Sequence, residues 1–161
     1  MTFEKSTGSP HHLLALLAGN WKGTSKLWLE PGKLANESAI LGSVQIILDG
    51  RFALFLYESS IEGEAQRGMF TFGYNTTLER YEASWVDSFH NNTAIMFCEG
   101  NAIQNGFFVL GSYPDPAGGP DWGWRTEVQL NGNELIITAY NILPDGQEAK
   151  ATELSLTKTT P

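Results

Sequence analysis

The feature that most constrains this chain is a change of period at Gly19. Before it, Leu13, Leu14, Leu16 and Leu17 place apolar side chains at helical spacing. Ser9 suits the cap of such a helix and Pro10 its first residue, where a missing N–H costs nothing. Gly19 suits the left-handed residue that ends it. After Gly19 the period is two. Trp21, Gly23, Ser25, Leu27 and Leu29 share one face; Lys22, Thr24, Lys26, Trp28 and Glu30 share the other. Two turns of helix do not hold in water alone, so the leucines must pack on what the later strands build.

No second helical stretch follows. Period-two runs recur at roughly 10- to 15-residue intervals to the end of the chain. They cover Ala39 to Leu48, Arg51 to Ile61, a run through Gly68, Phe70, Phe72 and Tyr74, then Tyr81 to Asp87. Further runs occupy 93–99, 102–113, 123–131, 134–143 and 147–158. Pro31-Gly32, Asp49-Gly50, Asn131-Gly132 and Pro144-Asp145-Gly146 lie between runs, and Asp-Gly and Asn-Gly are hairpin formers. Short consecutive hairpins favour an up-and-down barrel over a Greek-key sandwich. The prediction is all-β: an antiparallel barrel of about ten strands, capped at one end by the N-terminal helix. A ten-residue strand is about 33 Å long, and a tilt of about 40° makes the wall about 25 Å high. Residues 1–8 are expected to be flexible and 9–161 to form one domain, since 161 residues suffice to bury roughly 70% of the unfolded surface. The connection over 114–123, rich in Pro and Gly, is too long for a tight turn. It reads as a rim loop, either solvated or a lid, with Trp122 and Trp124 beside it.

Charge narrows the partners. A net charge of −8 with no basic stripe disfavours nucleic acid and anionic membrane surfaces. One cysteine, Cys98, excludes an intramolecular disulfide and a thiolate metal cluster; it reads as a buried small hydrophobe. The apolar run 13–18 is too short for a secretory segment, and no run approaches the ~20 residues of a membrane span. The expected compartment is the cytoplasm.

Pro10-x-x-Leu13-x-x-Leu16-x-x-Gly19-x-Trp21-x-Gly23 resembles the opening of a bacterial family of domains of unknown function (DUF1579-like). That family is similar to the calycin superfamily of lipocalins and fatty-acid-binding proteins. Later marks match as well: Gly50-Arg51-Phe52, Gly73-Tyr74 followed by Arg80-Tyr81, and Trp85-Val86-Asp87-Ser88. The likeness runs from Pro10 to about Leu156. It implies a calycin-like barrel with an interior cavity and no established activity. The helix-Gly-x-Trp-x-Gly opening is also similar to nitrobindin, a haem-binding barrel whose iron is ligated by a histidine near the C-terminus. The histidines here are His11, His12 and His90, so haem is disfavoured and no cofactor is expected.

A cavity lined by Trp21, Phe55, Tyr57, Trp85 and Tyr140 would be apolar with a few polar tips, as small-molecule pockets are; the alternative is that these rings fill the interior. Arg51 and Asp87 interrupt apolar runs on the faces of those aromatics. A charge inside a barrel must be paired or solvated, so the two could orient the polar end of a ligand or form a structural ion pair. Arg125 and Glu127 share a face and could join them. His90 follows Asp87 at a spacing of three and could act as a general base, but no nucleophile motif accompanies it. It reads as a surface-loop histidine, and His11-His12 as a solvated pair. The expected function is binding of a small apolar or amphiphilic ligand inside the barrel. Rivals are an enzyme using the same cavity and an interaction protein with a filled barrel. Apolar residues on both faces of 51–61 and 134–143 predict a covered outer wall, hence a homodimer.

Overall fold

The computed structural model describes residues 6–159. The change of period lies where the sequence places it. Helix α1 (Pro10–Leu16) is capped by Ser9, whose hydroxyl accepts from the His12 amide at 3.1 Å. Leu17 and Ala18 tighten its last turn with amide bonds of 3.2 Å to Leu14 and Ala15. Gly19 then takes φ +132°, a conformation closed to most residues, and opens β1 (Gly19–Glu30). Of the segment expected to be loose, residues 1–5 lie outside the described residues. Ser6 to Ser9 closes a turn of 3.0 Å.

The strands that follow are β2 (Lys33–Ile47), β3 (Phe52–Ile61), β4 (Glu64–Asn75), β5 (Arg80–Asp87), β6 (Met96–Gly100), β7 (Ala102–Ile103), β8 (Gly106–Tyr113), β9 (Trp122–Asn131), β10 (Glu134–Ile142) and β11 (Glu148–Lys158). Each long strand pairs antiparallel with its sequence neighbours. The two-residue β7 is a spur on β8, β6 bridges to β8, and β1 pairs with β11, so ten strands close an up-and-down barrel. This fits a calycin-like fold.

Departures from expectation are local. β2 begins at Lys33 rather than Ala39, because polar Asn36 to Ser38 carry ladder bonds that no apolar pattern announces. Asp49-Gly50 is not a two-residue hairpin. Leu48, Asp49 and Gly50 all have positive φ (50°, 58° and 93°) and make a wider corner into Arg51. The run 102–113 is broken at Asn105, also at positive φ.

The opening motif has a physical reason. The Trp21 indole donates to the Leu17 carbonyl at 2.9 Å and so satisfies a group the helix terminus leaves open. The same bond fixes the entry of β1 beneath the helix. Leu14 and Leu17 are buried on a core containing Ile40, Ala53, Phe72 and Leu156. Each buried leucine of this kind contributes about 1.5–3 kcal/mol. His11 is not solvated as expected: it is buried, edge-on to Tyr74 at 6.1 Å.

Rings fill the half of the barrel nearest the helix. Tyr81 stacks on Phe107 at 4.3 Å, Phe107 meets Phe72 at 5.4 Å, and Phe72 stacks on Phe70 at 4.9 Å. Cys98 is buried here, and burial pushes its thiol up to about 12, which leaves no reactive thiolate at neutral pH.

Candidate functional site

The open end differs. Phe70 continues the stack to Trp85 (5.5 Å, planes 6° apart) and Trp85 to Trp124 (5.2 Å, 18°), but the stack does not span the lumen. A partly open cavity of about 50 Å³ remains, walled by Tyr57, Phe70, Trp85, Trp124, Thr126, Ile137 and Ala139. That is room for a few water-sized groups. A second cavity, of about 150 Å³, lies beside it under the mouth, with Asn91, Met96, Tyr113 and Asn141. Trp85, His90 and Trp124 line both.

Strand chemistry positions these groups. Tyr57 on β3 faces Gly68 on β4, and its ring occupies the space a side chain would need: a Cβ on Gly68 would fall 2.1 Å from the Tyr57 hydroxyl. That seat lets Tyr57 reach across to Trp85, whose indole donates to Tyr57 Oη at 2.9 Å. Burial raises the Tyr57 pKa far above the ordinary tyrosine range; the Trp85 bond opposes the rise and the Asp87 charge adds to it. Tyr57 therefore stays a phenol whose own proton is left to donate.

Asp87 ends β5, and the chain turns back over the mouth just beyond it. Its carboxylate accepts from the His90 amide (2.9 Å), the Asn91 amide (2.6 Å) and, through Oδ2, from His90 Nδ1 (2.8 Å). Burial alone would raise the Asp87 pKa. The bonds from the His90 ring and the two amides outweigh it, and the carboxyl lies below its ordinary value. With Nδ1 donating to the carboxylate, the neutral ring has Nε2 as an acceptor. The ring leans on Trp85 (5.5 Å) and Trp124 (5.2 Å).

Two polar atoms of residues in the wall have no partner among the described residues: Trp124 Nε1 and Thr126 Oγ1, both fully buried. Buried polar groups are nearly always paired, and an orphan costs about 1–3 kcal/mol. Both atoms belong to one strand, in residues that border empty space.

The expected site residues divide accordingly. Tyr57, Trp85 and Asp87 come together at the cavity. Trp21 and Phe55 are fully buried but belong to the filled part. Arg51 does not meet Asp87. It stands before β3, at the helix end, with Nη1 3.0 Å from the Leu48 carbonyl and 3.8 Å from Asp49. Arg125 and Tyr140 lie on the outer wall, because Trp124, Thr126 and Ala139 occupy the inward positions of β9 and β10. There Arg125 sits 4.4 Å over the Tyr140 ring and binds Glu127 and Glu148, an external ladder that raises the arginine pKa and lowers that of Glu148. None of Pro114 to Asp121 lines either cavity.

Sequence reasoning did not select Phe70, His90, Trp124 or Thr126 for the site. The Asp-x-x-His spacing was the one legible signal, and only the folded loop shows that the pair faces a cavity. Among the described residues, no cluster of three metal-ligating side chains is present.

No curated protein matches the chain in sequence. The family model described as "Protein of unknown function (DUF1579)" matches residues 6–158, which covers the helix, every strand and both cavities. The chain belongs to the DUF1579 family of proteins of unknown function.

Proposed function

We propose that this protein binds a small amphiphilic molecule at the open end of its barrel. The observation that carries the reading is the pair of unpartnered atoms, Trp124 Nε1 and Thr126 Oγ1, in residues that wall an aromatic cavity. Aromatic walls with a few convergent polar groups are the usual make-up of a small-molecule site. The site is compact, so long acyl chains do not fit; the larger part of a ligand belongs in the outer cavity and its smaller end in the inner one. Native mass spectrometry of the freshly purified protein, followed by a thermal-shift screen of small aromatic and aliphatic compounds, tests this. Ala139 is inward-facing and lines the inner cavity, so Ala139→Leu fills it. Compounds that raise the Tm of the wild type should fail to raise that of Ala139→Leu. An unchanged response in the variant would overturn the reading.

The Asp87–His90 pair favours a second reading, catalysis in the same place with His90 as general base. Among the described residues no nucleophilic side chain is bonded to His90, so such a reaction would use water or a proton of the substrate. Turnover that disappears in His90→Ala while binding persists would replace the binding reading with this one.

A further inference from the structure

Resting on that reading, we infer the chemical class of the ligand: an uncharged molecule carrying a hydrogen-bond donor and an acceptor side by side on a compact apolar body, as in a primary amide or a hydroxy-ketone. The groups left over in the walls define its complement. Trp124 Nε1 can only donate. Tyr57 has spent its acceptor on Trp85 and keeps its proton. Thr126 supplies a hydroxyl. Opposite the indole and the phenol stands His90, whose Nε2 is an acceptor open to the mouth, its sister nitrogen being held by Asp87; the Thr126 hydroxyl can donate or accept. A ligand oxygen satisfies the donors and an adjacent N–H or O–H satisfies the histidine.

Charge excludes the neighbouring classes. A carboxylate would sit beside the buried Asp87 charge with no guanidinium to receive it, and Lys26, the one lysine bordering the cavity among the described residues, stands on the face of β1 opposite the buried Leu27. Arg51 is at the other end of the barrel and Arg125 is outside. Arg67 borders the cavity but is bonded to Glu58 at 3.1 Å, on the outward side of its strand. A cation would find the Asp87 oxygens already bonded to the His90 ring and two amides, and would face the Trp124 and Tyr57 donors. A pure hydrocarbon would leave the buried Trp124 and Thr126 atoms unsatisfied, and matched polar sites discriminate strongly against analogues lacking the polar group.

Four single-ring aromatic probes of similar size separate the classes: benzamide, benzoate, benzylammonium and toluene. Their dissociation constants are measured by titration while the Trp124 indole N–H resonance, identified by its loss in Trp124→Phe, is followed by NMR. Benzamide should bind about tenfold or more tightly than the other three, the worth of one well-made hydrogen bond, and should move the Trp124 resonance. His90→Ala should weaken benzamide about tenfold and leave toluene unchanged, and Thr126→Val should do the same. If benzoate or benzylammonium binds tightest, or toluene equals benzamide, the ligand class is wrong and the site stands. If no probe binds the wild type, or all bind Ala139→Leu equally well, the site itself is refuted and the class with it.

Discussion

The two ends of the barrel obey different rules. At the helix end Tyr81, Phe107, Phe72 and Phe70 pack ring against ring, and the Trp21 indole satisfies the Leu17 carbonyl. At the open end the stack of Phe70, Trp85 and Trp124 leaves an empty pocket, an ionised carboxylate is folded under a loop, and two buried polar atoms have no partner. Packing without gaps is what stability alone would select. Natural proteins depart from it at functional sites and compensate elsewhere. Here the helix half is packed ring on ring, while the mouth half keeps open space and, among the described residues, two unpartnered polar atoms.

The comparison can be broken by mutation. The largest effect belongs to Phe107→Ala, which removes a fully buried ring from the filled half and should cost about 3–5 kcal/mol in urea unfolding. A loss below about 1 kcal/mol would mean that this half collapses easily, and the contrast would fail. Gly68→Ala comes next. Its Cβ displaces the Tyr57 ring, so about 1–3 kcal/mol should be lost together with the Trp85 bond, visible as a shift in tryptophan emission. Trp21→Phe removes the bond that caps the helix and should cost about 1–2 kcal/mol, with amide exchange accelerated first in residues 10–18.

Asp87→Asn sharpens the contrast through pH. The Asp87 carboxyl is held below its ordinary value, so its stabilisation is present in full above the unfolded-state pKa of about 3.9. It is lost as pH falls through the lower folded-state value. Acid should therefore loosen residues 88–92 in the wild type, seen by amide exchange, and the asparagine variant should lack that acid limb. The smallest effect on stability is expected at Thr126→Val. It replaces an orphan hydroxyl by a methyl of the same shape, so unfolding should change by about zero or in the stabilising direction. A clear destabilisation would reveal a partner for that hydroxyl and remove one of the two observations on which the site rests.

Much of the fold was legible, and the site only in part. Helix spacing, the proline and serine at its start, and the paired turn residues all act over a few positions, so they survive in the linear chain. Alternation showed that Arg51 and Asp87 share the parity of large aromatics. It could not show that β3 starts at the helix end while β5 finishes at the mouth, so the two charges never meet. In β9 alternation separates Arg125 and Glu127 from Trp124 and Thr126 but does not say which set faces in; pairing with β8 and β10 decides that. His90 is the surface-loop histidine the sequence announced, exposed as expected; what the sequence did not carry is that its ring leans on Trp85 and Trp124.

The amino-acid sequence by itself determined the helix, its stop at Gly19, the period of the strands and their antiparallel succession, because these depend on residues close together in the chain. Only closure of the sheet decided which rings touch, which leave space and which buried atoms lack a partner. Those are properties of depth inside the barrel, and depth is set jointly by strands far apart in the sequence.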